Sequence, residues 1–553
     1  MVGRKLLLEL CRHRRNRPLA AGQHLVHGLD LLLFDDRPPQ RLGLVKRDGG
    51  RPTEQRQTVS HGCTHRPYSS SQGALLPSGW CPAAFSRQAG RGVNTPSVHL
   101  TCCLYVEHPT SAYGAGQCTL RRERTMAEVR AGVGRTIVTP PVGTRMGGYG
   151  ARDHGCEGVH DDLTATALLL DDGQTRIGIV AVDVVGLAAD SVARIRALVE
   201  QHGILPGHHM TVCCSHTHSG PATREWGAGG PPNQEYVRVL EGLAATALVQ
   251  AARHLQPVEA TLAFGEAGFN INRRRPTERG VQMLPNPEGP VDRRVTVLRL
   301  NHVDDPSGER APLALVFSYS CHPTVMGAAN YWISADYPGQ ARRLLEAACA
   351  ADGGGLALFL QGCCANVRPN LTGPDGRFRG GTFAELRRLG YALGAEVLRA
   401  SQAGTMLPLA PLAAASRTVP LPLRPLRTAR ERPWVAAAAT DGGPLEPPPG
   451  FPAKIEAEVQ VLRLGDFWIV ALPGEIFVET GWRIAAALPS GRERTLVTSY
   501  SNGAVGYVPT PEALQEGGYE AFPFGRARGV IYADDVEQRL LTTAQELAVL
   551  LIA

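Results

Sequence analysis

Lysine is nearly missing from this chain: it stands only at Lys5, Lys46 and Lys454 among 553 residues, while Lys and Arg together number 57. That bias suggests a high-GC coding sequence, in which spurious upstream frames run long and arginine-rich. Long apolar runs are also missing. No window approaches the roughly 18 uninterrupted apolar residues that cross a bilayer. The Leu6-Leu7-Leu8 run is too short, and too soon followed by charge, for a signal peptide. Membrane spanning and ordinary secretion are therefore not expected.

Several catalytic signatures are missing as well. There is no G-x-S-x-G elbow, H-E-x-x-H pair, G-x-x-x-x-G-K-[ST] phosphate loop or EF-hand loop. Gly132-Val133-Gly134 lacks the third glycine of a dinucleotide fingerprint. From Met126 onward the cysteines are Cys156, Cys213, Cys214, Cys321, Cys349, Cys363 and Cys364, an odd set with two vicinal pairs and no CxxC. That pattern argues against a disulfide framework and a zinc knuckle, and a reducing cytoplasm is expected. Water activated by a metal is the most economical nucleophile left.

The charge of +6 belongs to one segment. Residues 1–125 carry 18 Lys+Arg against 8 Asp+Glu, and residues 126–553 carry 39 against 43. The first segment shows no sustained helical or alternating pattern beyond Leu6–Leu10 and Leu29–Phe34. It is expected to be a mis-called or disordered N-terminal extension, and no nucleic-acid partner is inferred from it. The working domain is expected to be 126–553.

From Met126 on, apolar β-rich runs alternate with amphipathic stretches. Strands are expected at Ala165–Leu170, Ile177–Val182, Met210–Cys214, Leu313–Phe317 and Leu356–Leu360. A helix is expected from Asp190-Ser191 to a stop at Gly203, with others over Tyr337–Ala351 and about Phe383–Ala400. Ile455–Leu462 alternates, Gly465-Asp466 turns, and Phe467–Leu472 returns as a hairpin. The stretch Gln402–Pro452 reads as too proline-rich for regular structure. The fold class is therefore α/β, a mixed and largely buried sheet flanked by helices.

Five polar clusters follow apolar strands: SHTHSGP (215–221), CHP (321–323), QGCCANVRPN (361–370), PGE (473–475) and SNGAVGYVPT (501–510). Strand carboxyl ends are where open α/β sheets bind ligands, so the five could converge on one pocket. His216, His218, His322 and Glu475 are zinc-binding residue types. His216 and His218, two apart on an extended segment, should point to opposite sides of the backbone, leaving one as ligand and the other as proton shuttle. Any one cluster alone is better read as a surface or hydrogen-bonded pair; the set in strand-end context favours a metal site. His160 in GVHDDL could line the pocket as a general base, or could simply mark a turn before a strand.

These residues resemble the neutral/alkaline non-lysosomal ceramidases, zinc amidases that release a fatty acid from N-acylsphingosine. The resemblance runs in order through GVGRT (132–136), MGGYG (146–150), GVHDDL (158–163), SHTHSGP, NINR (270–273), CHP, SADYPG (334–339), LPGE (472–475), GYVPTPEA (506–513) and GGYEA (517–521). It implies one zinc per chain held by His216, His322, Glu475 and Tyr507, with His218 as acid/base and Arg273 holding the polar end of an N-acyl substrate. Tyr507 could bind zinc or donate to the developing oxyanion. Asp336 could orient a ligand histidine or cap the helix after it. Asn272, Asn366 and Arg368 would stand near the substrate or behind the ligands. The implied reaction is attack of zinc-activated water on an amide carbonyl, with His218 protonating the leaving amine.

Two departures stand out. The family's G-D-x-S-P segment reads Ala365-Asn366-Val367-Arg368-Pro369 here, replacing both its aspartate and its serine, and no C-terminal immunoglobulin-like domain is expected. Arg368 cannot act as a hydroxyl nucleophile and is costly to bury unless an anion partners it. Two alternatives to a ceramide-like amidase follow: a non-catalytic binding protein on the same fold, or a metal hydrolase of a small anionic amide or ester. Acyl length, amine and oligomeric state are not legible. Deleting residues 1–125 should leave solubility and activity unchanged, since that segment supplies neither core pattern nor ligand; failure of the protein starting at Met126 to fold would overturn this.

Overall fold

Strands covered on both faces need apolar side chains at successive positions, and Thr164–Asp171 (TATALLLD), Arg176–Val182 and Met210–Cys214 have them. The structure, a computed structural model, describes residues 128–224, 231–305, 311–349, 354–426, 452–522 and 530–552. All of them belong to one unit, 115–553. The extension 1–125 and the central part of the proline-rich stretch, 427–451, lie outside the described residues.

The main sheet is mixed. Its order is Leu356–Gln361, Ala314–Tyr319, Arg294–His302, Gln256–Glu266, Arg130–Ile137, Thr164–Asp171, Arg176–Val182 and Met210–Cys214, with Thr405–Leu407 also paired to Gln256–Glu266. The two outermost pairs are parallel and the inner ones antiparallel. Each parallel pair needs a crossover, supplied by helix Ala189–Gln201 at one end and Asp336–Cys349 at the other. Both expected helices are thus present within two residues of their expected ends, as is Phe383–Ser401.

A second, five-stranded sheet contains the expected hairpin Lys454–Leu464 and Phe467–Ala471, together with Thr495–Thr498, Leu412–Pro425 and Val530–Tyr532. Alternation decides the layering. Leu168, Leu170, Ile177, Ile179, Leu298 and Leu358 pack against Leu462, Phe467 and Ile469 of the second sheet. Their neighbours Leu169, Val180, Val182 and Val212 face the helices Ala189–Gln201 and Gln234–Arg253, and Val297, Phe317 and Phe359 face Asp336–Cys349 and Phe383–Ser401. The outer face of the second sheet, with Val459, Val461 and Val470, is covered by helices Val478–Ala487 and Val536–Leu550. Two sheets between two helical layers replace the single flanked sheet expected from the sequence. Gly132 and Gly134 serve this packing: a Cβ there would stand 2.0 Å from the Ala251 carbonyl oxygen and 2.2 Å from that of Ala247, so the pair admits helix Gln234–Arg253.

The expectation for Gln402–Pro452 is corrected over its first half, where Leu412–Pro425 is a 14-residue strand. Leu423 donates its N–H to Ala453 on the side of Lys454–Leu464, whereas the Pro422 carbonyl accepts from Ala533 on the other side. Pro420 and Pro422 share that second parity. Their missing N–H groups therefore cost no bond to Lys454–Leu464.

The edge strands of the main sheet are brought together by residues 498–502. Thr498 bridges Gly362, and Ser501 bridges Cys213. The Ser499 N–H donates to Gln361 (3.0 Å), the Cys214 N–H to Tyr500 (3.0 Å) and the Asn502 N–H to Val212 (2.9 Å). The Asn502 side chain accepts from the Val212 N–H (2.9 Å) and donates to Gln460 Oε1 (2.7 Å). Asn502→Ala should therefore lower stability by about 2–4 kcal/mol, because a buried N–H and a buried amide lose partners and a residue at φ 60° loses the type that tolerates it. Chemical denaturation measures this, and an unchanged midpoint would show that the bridge is dispensable.

Candidate metal centre and active site

His216 follows Met210–Cys214 and takes φ 64°. A left-handed residue breaks the alternation of an extended segment, and here it turns the ring back toward its neighbour. The expectation that His216 and His218 point to opposite sides is thereby overturned: their Nε2 atoms are 3.1 Å apart. His322, after Ala314–Tyr319, joins them, and the three buried histidines form one group able to hold a metal. Gly148 of MGGYG makes room for His218, since a Cβ there would lie 2.6 Å from its ring.

The tautomers follow from the partners. His216 Nδ1 meets the Val185 carbonyl at 2.5 Å, and His322 Nδ1 meets the carbonyls of Cys364 at 2.7 Å and Val367 at 3.1 Å. Carbonyls only accept, so both rings carry hydrogen on Nδ1 and present Nε2 lone pairs. Backbone carbonyls thus orient the two rings, the role expected of the Asp336 carboxylate. The two lone pairs face the same atom, Glu475 Oε2, at 3.1 Å from His322 and 3.6 Å from His216. Burial lowers the pKa of all three histidines, that of His216 to about 3 despite the opposing charge of Glu475. Two neutral imidazoles whose lone pairs converge on one carboxylate oxygen fit a zinc-type cation.

Glu475 and Tyr507 sit side by side because Glu475–Ile476 and Tyr507–Val508 pair in parallel with those two residues in register. The Tyr507 hydroxyl accepts from Arg273 Nη2 at 3.0 Å. Burial and the Glu475 charge hold Tyr507 well above the usual phenol range. Arg273 is itself ion-paired to Glu520 at 2.8 Å.

Tyr500 escaped the sequence reading. Its ring stacks on His216 at 3.8 Å, and its hydroxyl lies 3.5 Å from Glu475 Oε2. Its position at the end of the apolar run Leu496–Tyr500, just before SNGAVGYVPT, is the only signal. Four of the five polar clusters supply these histidines, Glu475 or the carbonyls that hold them, and the fifth supplies Tyr507 in register with Glu475.

Other expected site residues stand further back. Asp336 touches neither ligand histidine: its carboxylate accepts from the N–H groups of Val325 (3.1 Å) and Tyr337 (2.8 Å), so of its two expected roles it fills that at the helix start, and it anchors the turn after His322. Asn366 bonds Glu479 and the Val478 N–H at the start of helix Val478–Ala487, and Asn272 bonds the Pro290 carbonyl and the Arg274 N–H. His160 is corrected as a site residue. It pairs with Asp161 at 2.6 Å, stacks on Phe383 at 3.9 Å and lines a separate cavity of about 300 Å³ with Asp162, Arg342 and Glu346. Of the three successive arginines 273–275, only Arg273 reaches Tyr507: Arg274 is held by Glu516 and Glu520, and Arg275 bonds the Pro285 carbonyl.

This arrangement defines a buried histidine–carboxylate centre at the strand ends of an α/β protein. Residues 129–383 match the family model described as neutral/alkaline non-lysosomal ceramidase, N-terminal, and that stretch, with its three histidines and Arg273, belongs to the family. The chain is 25% identical over 468 residues to the neutral ceramidase of Pseudomonas aeruginosa, spanning 71% of this chain and 68% of that protein. It is 24% identical over 460 residues to the neutral ceramidase of Mycobacterium tuberculosis, 68% of this chain and 70% of that one. The crystal structure of the Pseudomonas aeruginosa enzyme shares the fold at a TM-score of 0.62 and 20% identity, over 77% of this chain and 74% of its own.

The buried neutral histidines set a pH dependence for the metal-free protein. Their folded-state pKa values lie below 6.5, so the unfolded chain binds more protons under that value. Stability is complete above about pH 6.5 and falls as the pH drops toward 3. His216→Gln should flatten that slope by up to about 1.4 kcal/mol per pH unit, one proton's worth. Urea midpoints between pH 8 and 4 test this, and parallel slopes would overturn it.

Proposed function

We propose that the protein is a metal-dependent hydrolase of N-acyl amides, with zinc held by His216, His322 and Glu475 beside Tyr507. The observation that carries this reading is the convergence of two Nε2 lone pairs on one carboxylate oxygen. The relatives are neutral ceramidases, which makes a ceramide-like amide the family's own substrate class. A bound zinc ion would polarise the acyl carbonyl and acidify a water.

The chain's own residues supply the rest. Arg273 donates into the Tyr507 oxygen, so the phenolic hydrogen is directed away from it and can be given to a developing oxyanion. Tyr507 is neutral at working pH, so that hydrogen is available. His218 is neutral as well, and its Nδ1 has no hydrogen-bond partner. Its Nε2, which faces the centre 3.1 Å from His216 Nε2, is the atom placed to take a proton from water and pass it to the leaving nitrogen. The replacement of the family serine by Arg368 favours a second reading, a binding protein that keeps the metal without turnover.

Mass spectrometry of purified protein should find one zinc per chain. His322→Ala and Glu475→Gln should each lose more metal affinity than the roughly 10–100-fold that an outer partner costs, with the fold retained. Full zinc occupancy in both variants would show the ligands to be misassigned, and zinc without hydrolysis of any N-acyl amide would select the binding protein.

A further inference from the structure

Arg368 stands next to the metal centre without a counter-ion. Its neighbour Val367 receives both the backbone N–H (3.2 Å) and the Nδ1 (3.1 Å) of His322 through one carbonyl. The guanidinium is stacked on Phe378, 4.5 Å from the ring centroid, and half-buried. Its Nε is buried with no hydrogen-bond partner, and among the described residues no carboxylate lies within ion-pair distance of it. Asp336, the carboxylate whose charge reaches it, has both oxygens taken by backbone N–H groups and is pushed by burial up to about 7.

A second unpartnered group lies opposite. The Tyr149 hydroxyl is buried with no partner, and its ring meets His218 edge-on at 4.9 Å. Both groups border the same pair of rings: Tyr149 packs on His218, Arg368 follows Val367, whose carbonyl holds His322, and the His218 and His322 rings are 5.7 Å apart. Arg152, buried beside Tyr149, spends Nη1 on the carbonyls of Gly147 and His218 and leaves Nε and Nη2 without partners. A guanidinium N–H and a hydroxyl that are buried without partners are costly unless a ligand completes them. Guanidinium, phenol and an aromatic face match a carboxylate at the end of a short organic group.

We propose that Arg368, Tyr149 and Phe378 form a subsite for an anionic group on the amine portion of the substrate. The preferred class is then an N-acyl amino acid rather than a neutral N-acyl amino alcohol. The amine side is specified because Tyr149 abuts His218, the residue placed to protonate the leaving nitrogen. This inference rests on the amidase reading. In the reaction, water adds its oxygen to the acyl carbon, the C–N bond breaks, and the nitrogen takes the proton, giving a carboxylic acid and a free amino acid.

N-octanoylglycine and N-octanoylethanolamine differ in the carboxylate alone and serve as probes for the zinc-loaded full chain. Wild type should prefer N-octanoylglycine in kcat/KM by about tenfold or more, the worth of a charged hydrogen bond. Arg368→Met should erase that ratio and Arg368→Lys should keep part of it. Calorimetric titration of both compounds into the same proteins is run in parallel. Hydrolysis that favours the neutral compound, or a ratio unmoved by Arg368→Met, overturns the subsite and leaves the amidase reading standing. Arg368-dependent binding of N-octanoylglycine with no hydrolysis of either compound supports the subsite and overturns the amidase reading. Neither binding nor hydrolysis overturns both.

Discussion

The structure depends on one short bridge, residues 498–502, between strands that stand at opposite ends of the main sheet. Met210–Cys214 and Leu356–Gln361 are the first and last strands in its order, yet both bond to this bridge through Cys214, Val212 and Gln361. An open sheet would spread its strand ends along a line. Joined at the edges, it brings the loops after both strands to the same place, and the CHP loop between them follows. The backbone pays locally, with Tyr500 at φ 54° and Asn502 at φ 60°. Such residues persist only where the surroundings over-determine them, and buried bonds to Val212 and Gln460 do so here.

The four non-glycine residues with positive φ among the described ones are His216, Asp336, Tyr500 and Asn502. Each lies in the centre or in the turns that build it. Local conformation there is set by tertiary contacts rather than by the residue's preference, and this is where reading by periodicity failed. HTH looks extended from its sequence, and one left-handed residue brings its histidines together. Tyr500 looked like the tail of a strand for the same reason.

Elsewhere the sequence was legible because local pattern and tertiary fold agree. Strands buried on both faces read as continuous apolar runs, and the helices carried apolar stripes between polar starts and glycine or small-residue stops. The second sheet as a packing partner was not legible, since an apolar run does not say whether a helix or another sheet covers it. Proline density misled over Leu412–Pro425, where what matters is the side of the strand each proline faces. Motif order carried His216, His218, His322, Glu475, Tyr507 and Arg273 to one place. It could not tell that Asn272, Asn366 and Asp336 spend their side chains on backbone N–H groups, or that Arg274 is balanced by Glu516 and Glu520.

The centre divides by hydrogen-bonding character. Its floor is made of acceptors, the Nε2 atoms of His216 and His322 and the Glu475 carboxylate, with their hydrogens directed outward to carbonyls. Its surround is made of donors: Tyr507 backed by Arg273, and Tyr149, Arg152 and Arg368 with unspent N–H or O–H groups. Acceptors alone repel one another in a buried space, and donors alone leave positive charge uncompensated. A cation relieves the first and an electron-rich substrate relieves the second. An amide fits between them, because the charge that grows on its oxygen during hydrolysis is attracted by both. The polarity of the cluster thus favours acyl transfer over chemistry that builds positive charge, on grounds independent of any likeness to other proteins.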